Sequence, residues 1–526
     1  MGQAVGASWA GLGILWGMRD MKGMNRRELL TLALHSLAIS GGVLLLYLAT
    51  LAPTVLWGDD AEFQRLAFTG RVGAGVRSYP LWVAVAHSLS RWLPAEAAWS
   101  ANLVSALCAA LVVGVLFVLV SGLTHSRPAG WVAGLALAFS HTFWLHAVRA
   151  EVYTLFLLGY VLVLALLWGW RLRPAGGLLL AAFGLAGLTL LAHRLLLTAW
   201  PALGYWLVRV PKPRPGRAYA LALAGLLLGG LPFLLLVLLP GRGAAGEIEG
   251  ELGLVRLRDV GLGLGFWGYQ FLFLLPLGVW GAWRQWRADR PGAVFLGLLG
   301  GGSVLFALSF RVNDQYVFYL PAYLVFAVWL GWGAADWLAR LAGRARAVWL
   351  VGLLLLAAGA PPLVYRLTPA ALNYLDLDLL PGRDVPYRDN NLFFLYPPKA
   401  GYDGARRYAA EVLASLPPDA ALLADWTPLQ PLLYLQVVEG VRPDVLLVQI
   451  HPGRGQQLPW LLAQSRTRPV FLADLERYYD LAEIETRFEL LPYGLVYQAL
   501  PYPPSTPCTA VGWWPGSKAA TSTARL

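Results

Sequence analysis

Three carboxylates fall within four residues of one another in the run TVLWGDDAEFQRLAFTG: Asp59, Asp60 and Glu62. They follow directly on the first long apolar stretch of the chain. In a helix, Asp59 and Glu62 stand at i and i+3 and share a face. Carboxylates crowded beside an apolar wall repel one another and lose hydration, which raises the pKa of one of them. A group of that kind accepts the proton of an alcohol. The same residues also suit an ordinary helix start, with an Asp cap and acids in the first turn that complement the helix dipole. The residues alone leave both readings open.

Further charges stand where apolar runs break. AVRAEVYTL carries Arg149, Glu151 and Tyr153, and LAHRLLL carries His193 and Arg194. An arginine grips phosphate bidentately and neutralises a departing anionic group. The bland alternatives are arginines snorkelling to the interface and a helix-packing histidine. Asp314, with Tyr316 and Tyr319, borders another helix start and is kept as an acceptor-side residue; aromatics at such a place are usually belt residues. His141 and His146 flank Trp144 and read as structural. There is no HExxH motif and no His/Cys cluster, so no metal site is expected. Cys108, inside an apolar run, and Cys508, in the tail, make neither a disulfide framework nor a zinc site.

The elements that must position these groups are membrane helices. The chain has 526 residues, 58% of them hydrophobic and only 13% charged, and its mean hydropathy is +0.56. Apolar runs of about twenty residues recur from Leu29 to Leu367, each long enough to span a bilayer. The net charge of +11 does not point to nucleic acid. The basic residues sit in short clusters between apolar runs, the pattern that orients a membrane protein, and no Lys/Arg stripe is interleaved with aromatics.

Residues 1–28 read as an N-terminal cytoplasmic leader, with Met24 as an alternative start. About eleven transmembrane helices are expected in 29–367. The first outer loop, 53–98, holds a juxtamembrane helix near 80–93. The stretch 176–208 is long for one crossing and short for two. Charge decides it: Arg171 and Arg173 precede it, Arg209, Lys212, Arg214 and Arg217 follow it, and both clusters belong on the cytoplasmic side. The chain therefore crosses twice there, with His193 and Arg194 at the outer turn. This topology puts Asp59, Asp60, Glu62, Glu96, Glu151, Glu247, Glu249, Glu251 and Asp314 on the outer side. Residues 368–505 turn soluble in composition and read as an extracytoplasmic α/β domain, with a helix at 405–417 and a strand–helix–strand unit from ALLAD to PDVLLVQI. Neither strand is followed by a phosphate-binding glycine motif. Residues 506–526 read as a disordered tail.

The order of several stretches resembles a known family. GDDAEF (58–63), SYPLW (78–82), WSANLVSAL (99–107), AFSHTFWLHAVRAEVYTL (138–155), LAHRLLL (191–197), YVFYLPAYLVFAVWLGWG (316–333) and LQVVEGVRPDVLLV (435–448) resemble the protein O-mannosyltransferase-like family that includes transmembrane protein 260, within the GT-C superfamily of membrane glycosyltransferases. The resemblance implies a GT-C-like helical membrane domain that uses a polyprenyl-phosphate-linked sugar, with mannose suggested. The acceptor would be a hydroxyl on a protein or glycan, and transfer would invert the anomeric centre. Asp59 matches the family's first-loop acid and would be the general base, with Glu62 the acid three positions on. Arg149, Glu151, Tyr153 and His193 match contact positions. Arg149, His193 and Arg194 would bind donor phosphate, and Asp60, Glu151, Tyr153 and Asp314 would contact substrate. Where the family has a His-Pro-Pro-Gly-like stretch, this chain has Gly75-Val76-Arg77-Ser78, and Arg77 is the expected replacement contact. A lipid monophosphate lacks the diphosphate that usually needs a metal clamp, so no cofactor or metal is expected. The compact chain and short outer domain favour a bacterial inner membrane over an endoplasmic reticulum membrane.

Two rivals belong to other classes. A lipid or solute transporter would show repeated halves with broken helices and polar residues at mid-membrane, and no internal repeat is visible. A non-catalytic scaffold with a degenerate glycosyltransferase fold is favoured by the missing loop histidine.

Overall fold

The computed structural model describes residues 26–72, 78–93, 95–210, 214–238, 251–312, 314–377, 383–450 and 455–503. Arg77, Glu247, Glu249 and the expected tail 506–526 lie outside the described residues, as does most of the expected leader.

Two apolar helices open the chain's path: α1 (Arg26–Thr50) and, after a loop bearing α2 (Asp59–Thr69) and α3 (Pro80–Trp92), α4 (Ala97–Thr124). Then come α5 (Arg127–Ala138), α6 (His141–Ala147), α7 (Tyr153–Leu172), α8 (Gly176–Thr189), a 3-10 turn (Arg194–Ala199), α9 (Trp200–Arg209) and α10 (Pro215–Phe233). The remainder of the bundle is α11 (Leu257–Phe271), α12 (Leu275–Ala288), α13 (Arg290–Ser309), α14 (Leu320–Ala339), α15 (Gly343–Leu354) and α16 (Ala360–Tyr374). A two-residue ribbon pairs β1 (Glu251–Leu252) with β2 (Phe310–Arg311).

Among the described residues, eight helices are long and apolar enough to cross a membrane. The chain is a multi-pass membrane protein. The other expected crossings fall on helical segments that are short or broken: α5 and α6 are parted at Phe139-Ser140, α8 has 14 residues and α9 has 10. At these breaks Ser140, His141 and His193 are buried in protein, as irregular backbone between membrane helices is expected to be. The spans Ala97–Thr124, Tyr153–Leu172 and Gln315–Ala339 are buried over most of their length and form the centre. Helices α1, α10 and α15 expose most of theirs, as helices facing lipid do. Helices α8 and α10 meet through glycines: a Cβ on Gly225 or Gly229 would strike the backbone of Leu180 or Gly184, the close approach that small residues permit.

One end of the bundle holds arginines on carboxylates. Arg171 forks onto Asp289 at 2.6 and 2.7 Å, and Arg284 and Arg340 hold Asp336 at 2.7 and 2.8 Å. The other end carries α2, α3 and a C-terminal domain. That domain comprises α17 (Asn390–Leu395), α18 (Gly404–Ser415), β3 (Ala421–Ala424), α19 (Trp426–Val438), β4 (Leu446–Gln449), α20 (Gln457–Gln464), β5 (Val470–Leu472), α21 (Leu481–Ile484), β6 (Phe488–Tyr493) and β7 (Val496–Pro501). Its sheet runs β4-β3-β5-β7-β6. β3 is parallel to both β4 and β5, with Ala421 opposite Leu446 and Val470. All of β3 is buried, which explains its unbroken apolar sequence. Hairpin β6–β7 closes the sheet through Gly494 at φ 60°, a conformation that glycine adopts without strain.

Candidate active site

Gly58 sets the site up. Its φ of 56° is open to glycine at no steric cost, and it turns the chain from the end of α1 into α2, so that Asp59 and Asp60 fall in the first turn. Gln64 then pins α2: its Nε2 donates to Asn102 Oδ1 at 2.9 Å, its Oε1 accepts from Leu56 N at 3.2 Å, and Asn102 Nδ2 donates to Ala52 O at 2.9 Å. The break between α6 and α7 is fixed as firmly. Ala52 N donates to Val148 O at 2.9 Å, and Ser105 Oγ both donates to Glu151 O and accepts from Glu151 N at 3.1 Å. Two loops far apart in sequence are thereby locked side by side on α4.

Between them lies Arg149, 7% exposed, with Asp60 at 4% and Glu151 at 7%. Its Nη1 is 3.5 Å from Asp60 Oδ2, and its Nη2 is 3.4 Å from Glu151 Oε1. A closed guanidinium–carboxylate fork would measure about 2.7–2.9 Å, so both pairs are loose. The tighter partner is His146, whose Nε2 stands 2.9 Å from Nη2. His146 Nδ1 lies 2.7 Å from Thr142 O; the proton therefore sits on Nδ1, and Nε2 accepts from the arginine. Tyr316 lies near enough for its hydroxyl to feel the Arg149 charge. Arg149 Nε and Asp60 Oδ1 are buried with no partner, and such atoms are costly to leave unmet.

Burial pushes the Asp60 carboxyl up to about 7, with Asp59 adding to the rise while Arg149 and Lys399 oppose it. Burial also drives Glu151 well above the usual carboxylate range against the pull of Arg149, and Asp60, Asp59 and Asp314 add to it. For Arg149 burial opposes the charge, but Asp60 and Glu151 outweigh it and raise its pKa. A buried arginine thus faces carboxyls that resist ionisation.

A second cluster adjoins the first through Tyr153, whose ring lies 5.3 Å from His146 and 5.0 Å from His193. His193 stacks on Tyr79 at 5.6 Å with an interplanar angle of 12°. Its Nδ1 accepts from Leu195 N at 3.0 Å, which leaves Nε2 to carry the proton. Burial, with Arg194 next to it, pushes its pKa down to about 3, so it is a neutral donor. The Arg194 guanidinium sits 5.2 Å over the Tyr79 ring and donates towards Ser78 O at 3.5 Å.

The structure therefore gathers Asp59, Asp60, Arg149, Glu151, Tyr153, His193 and Arg194 at one end of the bundle. Asp314 belongs with them, its charge acting on Glu151, Tyr153 and Tyr316. Glu62 stands apart, half-buried, with its charge acting on Arg65. Asp59 is exposed, and its Oδ1 accepts from the Trp426 indole N–H at 2.6 Å.

Sequence reasoning missed Trp426, Lys399, Tyr79 and the grip of His146 on Arg149. Trp426 opens α19 of the C-terminal domain, and nothing local joins it to a residue 367 positions away. Lys399 had one signal: the chain has four lysines among its 41 basic residues, so a lysine after Pro397-Pro398 was unusual. Tyr79 lay in a quoted stretch but carried no role. His146 had a faint signal, standing three residues before Arg149 on a helix end.

Residues 77–214 match the family model of the protein O-mannosyl-transferase TMEM260 N-terminal domain. A comparison with curated proteins gives no match. Among solved structures the chain resembles ArnT from Cupriavidus metallidurans bound to undecaprenyl phosphate, with 17% identity, a TM-score of 0.54, and 88% of this chain and 97% of that chain covered. The apo form of the same protein gives 16% identity and a TM-score of 0.55 over the same shares. At such identity the likeness is one of fold. The membrane domain thus carries the GT-C fold expected from the sequence, and its segment 77–214 is similar to the TMEM260 N-terminal domain of protein O-mannosyl-transferases.

Proposed function

We propose that the protein is an inverting membrane glycosyltransferase. It takes a sugar, with mannose first to be tried, from a polyprenyl phosphate and transfers it to a hydroxyl of a protein or glycan. The observation that carries this is a buried, loosely held Arg149 set between an exposed acid, Asp59, and the aromatic–basic cluster of Tyr79, Tyr153, His193 and Arg194. In this reading the acceptor hydroxyl attacks the anomeric carbon and loses its proton to Asp59. The bond from that carbon to the phosphate oxygen breaks, and the charge left on the polyprenyl phosphate is met by Arg149, His193 Nε2–H and Arg194. Direct displacement inverts the centre. Arg77, outside the described residues, remains an expected further contact. Asp60 and Glu151 hold Arg149, while Tyr153 and Asp314 line the sugar side. Glu62, off the cluster, has the weakest claim to a part in the chemistry. The lipid donor is supported by the ArnT likeness, one of whose structures holds undecaprenyl phosphate.

The arginine–carboxylate end of the bundle, with Arg171, Arg284 and Arg340, suits a cytoplasmic face. The site and the C-terminal domain would then be extracytoplasmic, in a bacterial inner membrane. The test is sugar transfer by purified protein from radiolabelled polyprenyl-phosphate sugars, comparing wild type with Asp59→Asn. A loss of about a hundredfold or more is expected for a missing general base. Equal turnover in the two proteins removes Asp59 from the mechanism. Lipid binding without turnover from any donor points to a scaffold.

A further inference from the structure

The segment 393–402 looks like a linker in sequence but is strapped across the active-site end of the bundle. Phe394 O lies 2.9 Å from His141 Nε2, and Leu395 O accepts from Tyr269 Oη at 3.0 Å. Lys399 N donates to Thr50 O at 2.8 Å, at the very end of α1, and Tyr402 Oη accepts from Trp57 Nε1 at 2.6 Å. These bonds reach α6, α11, α1 and the loop leading into α2. The strap thus buries the one lysine of the described residues against the membrane domain.

Lys399 is 3% exposed. Its ammonium donates to two carbonyls, Tyr396 O at 2.5 Å and Pro397 O at 3.4 Å, and it faces the Phe393 ring at 5.2 Å. Among the described residues no carboxylate lies within ion-pair distance of it. An ammonium has three protons to place, and a buried cation with no anion is expensive. Its charge nevertheless acts on both Asp60 and Arg149. Asp60 Oδ1 and Arg149 Nε, also buried, are left without partners. Burial, with Arg149 adding to it, pushes the Lys399 pKa well below the ordinary lysine value while Asp60 opposes the fall, so an anion arriving there would fix its proton. Lys399 and Arg149 thus lie near enough for their charges to act on one another, with buried Asp60 Oδ1 and Arg149 Nε unpartnered beside them and the neighbouring carboxyls resisting ionisation, a setting that suits an incoming phosphate better than a self-contained ion-pair network.

We propose that Lys399, carried in by the strap from the C-terminal domain, is a ligand of the donor phosphate and completes with Arg149 a site that the transmembrane helices alone leave open. This rests on the polyprenyl-phosphate reading above.

The experiment measures binding of undecaprenyl phosphate and of undecaprenol to the full-length protein in detergent, for wild type, Lys399→Met and Lys399→Arg. One lost charge-assisted contact predicts about tenfold weaker binding of the phosphate by Lys399→Met. Undecaprenol, which lacks the phosphate, should bind all three proteins equally, and Lys399→Arg should keep most of the phosphate affinity. Equal phosphate affinity in wild type and Lys399→Met overturns the proposal. So does a parallel loss for both lipids, because the lysine then only braces the strap. If Lys399→Met does not fold, Lys399→Gln takes its place against Lys399→Arg under the same criteria. Sugar transfer is assayed separately: if wild type binds the phosphate but transfers no sugar, the enzyme reading fails and the assignment of Lys399 stands on the binding data.

Discussion

At the scale of single residues, Asp60 ties the site's electrostatics to a measurable pH response. Its folded-state pKa is raised to about 7 by burial, against about 3.9 in an open chain. Between those values the folded protein holds a proton that the unfolded chain has released. Stability from this group is therefore full below pH about 4 and is lost as pH rises through about 7. Glu151 acts in the same sense. His193 acts oppositely: its lowered pKa costs stability as pH falls below the ordinary histidine value. The contribution of Asp60 is consequently read as a difference. The melting temperature of detergent-solubilised wild type should fall from pH 5 to pH 7 relative to Asp60→Asn, by about 1 °C per pH unit for one proton in a chain of this size. Parallel curves for the two proteins would mean that Asp60 is fully ionised beside Arg149. These residues were legible because charged groups among apolar runs are rare and expensive. Asp59, Asp60, Arg149, Glu151, His193 and Arg194 stand out from their surroundings. Lys399 and Trp426 sit in a stretch of soluble composition where charge and aromaticity are ordinary, and only the fold brings them to the site.

At the scale of elements, the informative case is α19, which lies on α2 and delivers Trp426 to Asp59. Its start is set from within the C-terminal domain: Asp425 caps it by accepting from Thr427 N at 2.9 Å, and Arg383 pairs with both Asp425 and Asp474. The orientation of Asp59 therefore depends on the position of a soluble helix. Trp426→Phe keeps the ring's bulk and deletes the N–H. A charge-assisted hydrogen bond of this kind is worth about 1.5–3 kcal/mol; if Asp59 is the base, kcat should drop by about tenfold with little change in binding of undecaprenyl phosphate. A rise in KM with kcat unchanged would instead assign Trp426 to substrate binding. The helices and the β3–α19–β4 unit were readable from period and composition, since each carries its own pattern. Strand β5 was not, because three apolar residues (Val470–Leu472) carry no period. The strap 393–402 shows no pattern of its own, because its hydrogen bonds go to distant helices and leave no local trace.

At the scale of the molecule, the C-terminal domain does not close its own core. One apolar cluster joins Ala52, Val55, Leu56, Trp57, Ala61 and Ala98 of the loop region to Tyr408, Val412, Leu422, Leu432 and Phe471 of the domain. Polar contacts run along the same seam: Tyr434 Oη accepts from Ala98 N at 2.9 Å, and Arg406 bridges Glu96 and Glu439 at 3.3 and 2.6 Å. The Arg406 pairs are partly exposed and add little, so the apolar seam decides. Val55, Leu56 and Trp57 are each almost fully buried, and fully burying a side chain of the Val or Leu class contributes about 1.5–3 kcal/mol. Three such losses rival the whole stability of a typical domain, about 5–15 kcal/mol. Residues 383–503 expressed alone should therefore lack a cooperative melting transition and sharp, dispersed amide resonances, although they contain every strand of the five-stranded sheet. In the intact protein, Leu56→Ala should lower the melting temperature and loosen the C-terminal domain, seen as faster amide exchange in β3 and α19. A fragment that melts cooperatively and shows native-like amide dispersion would make the domain autonomous. Its hold on Asp59 would then be a docking contact between finished bodies, and Leu56→Ala should leave exchange in β3 unchanged.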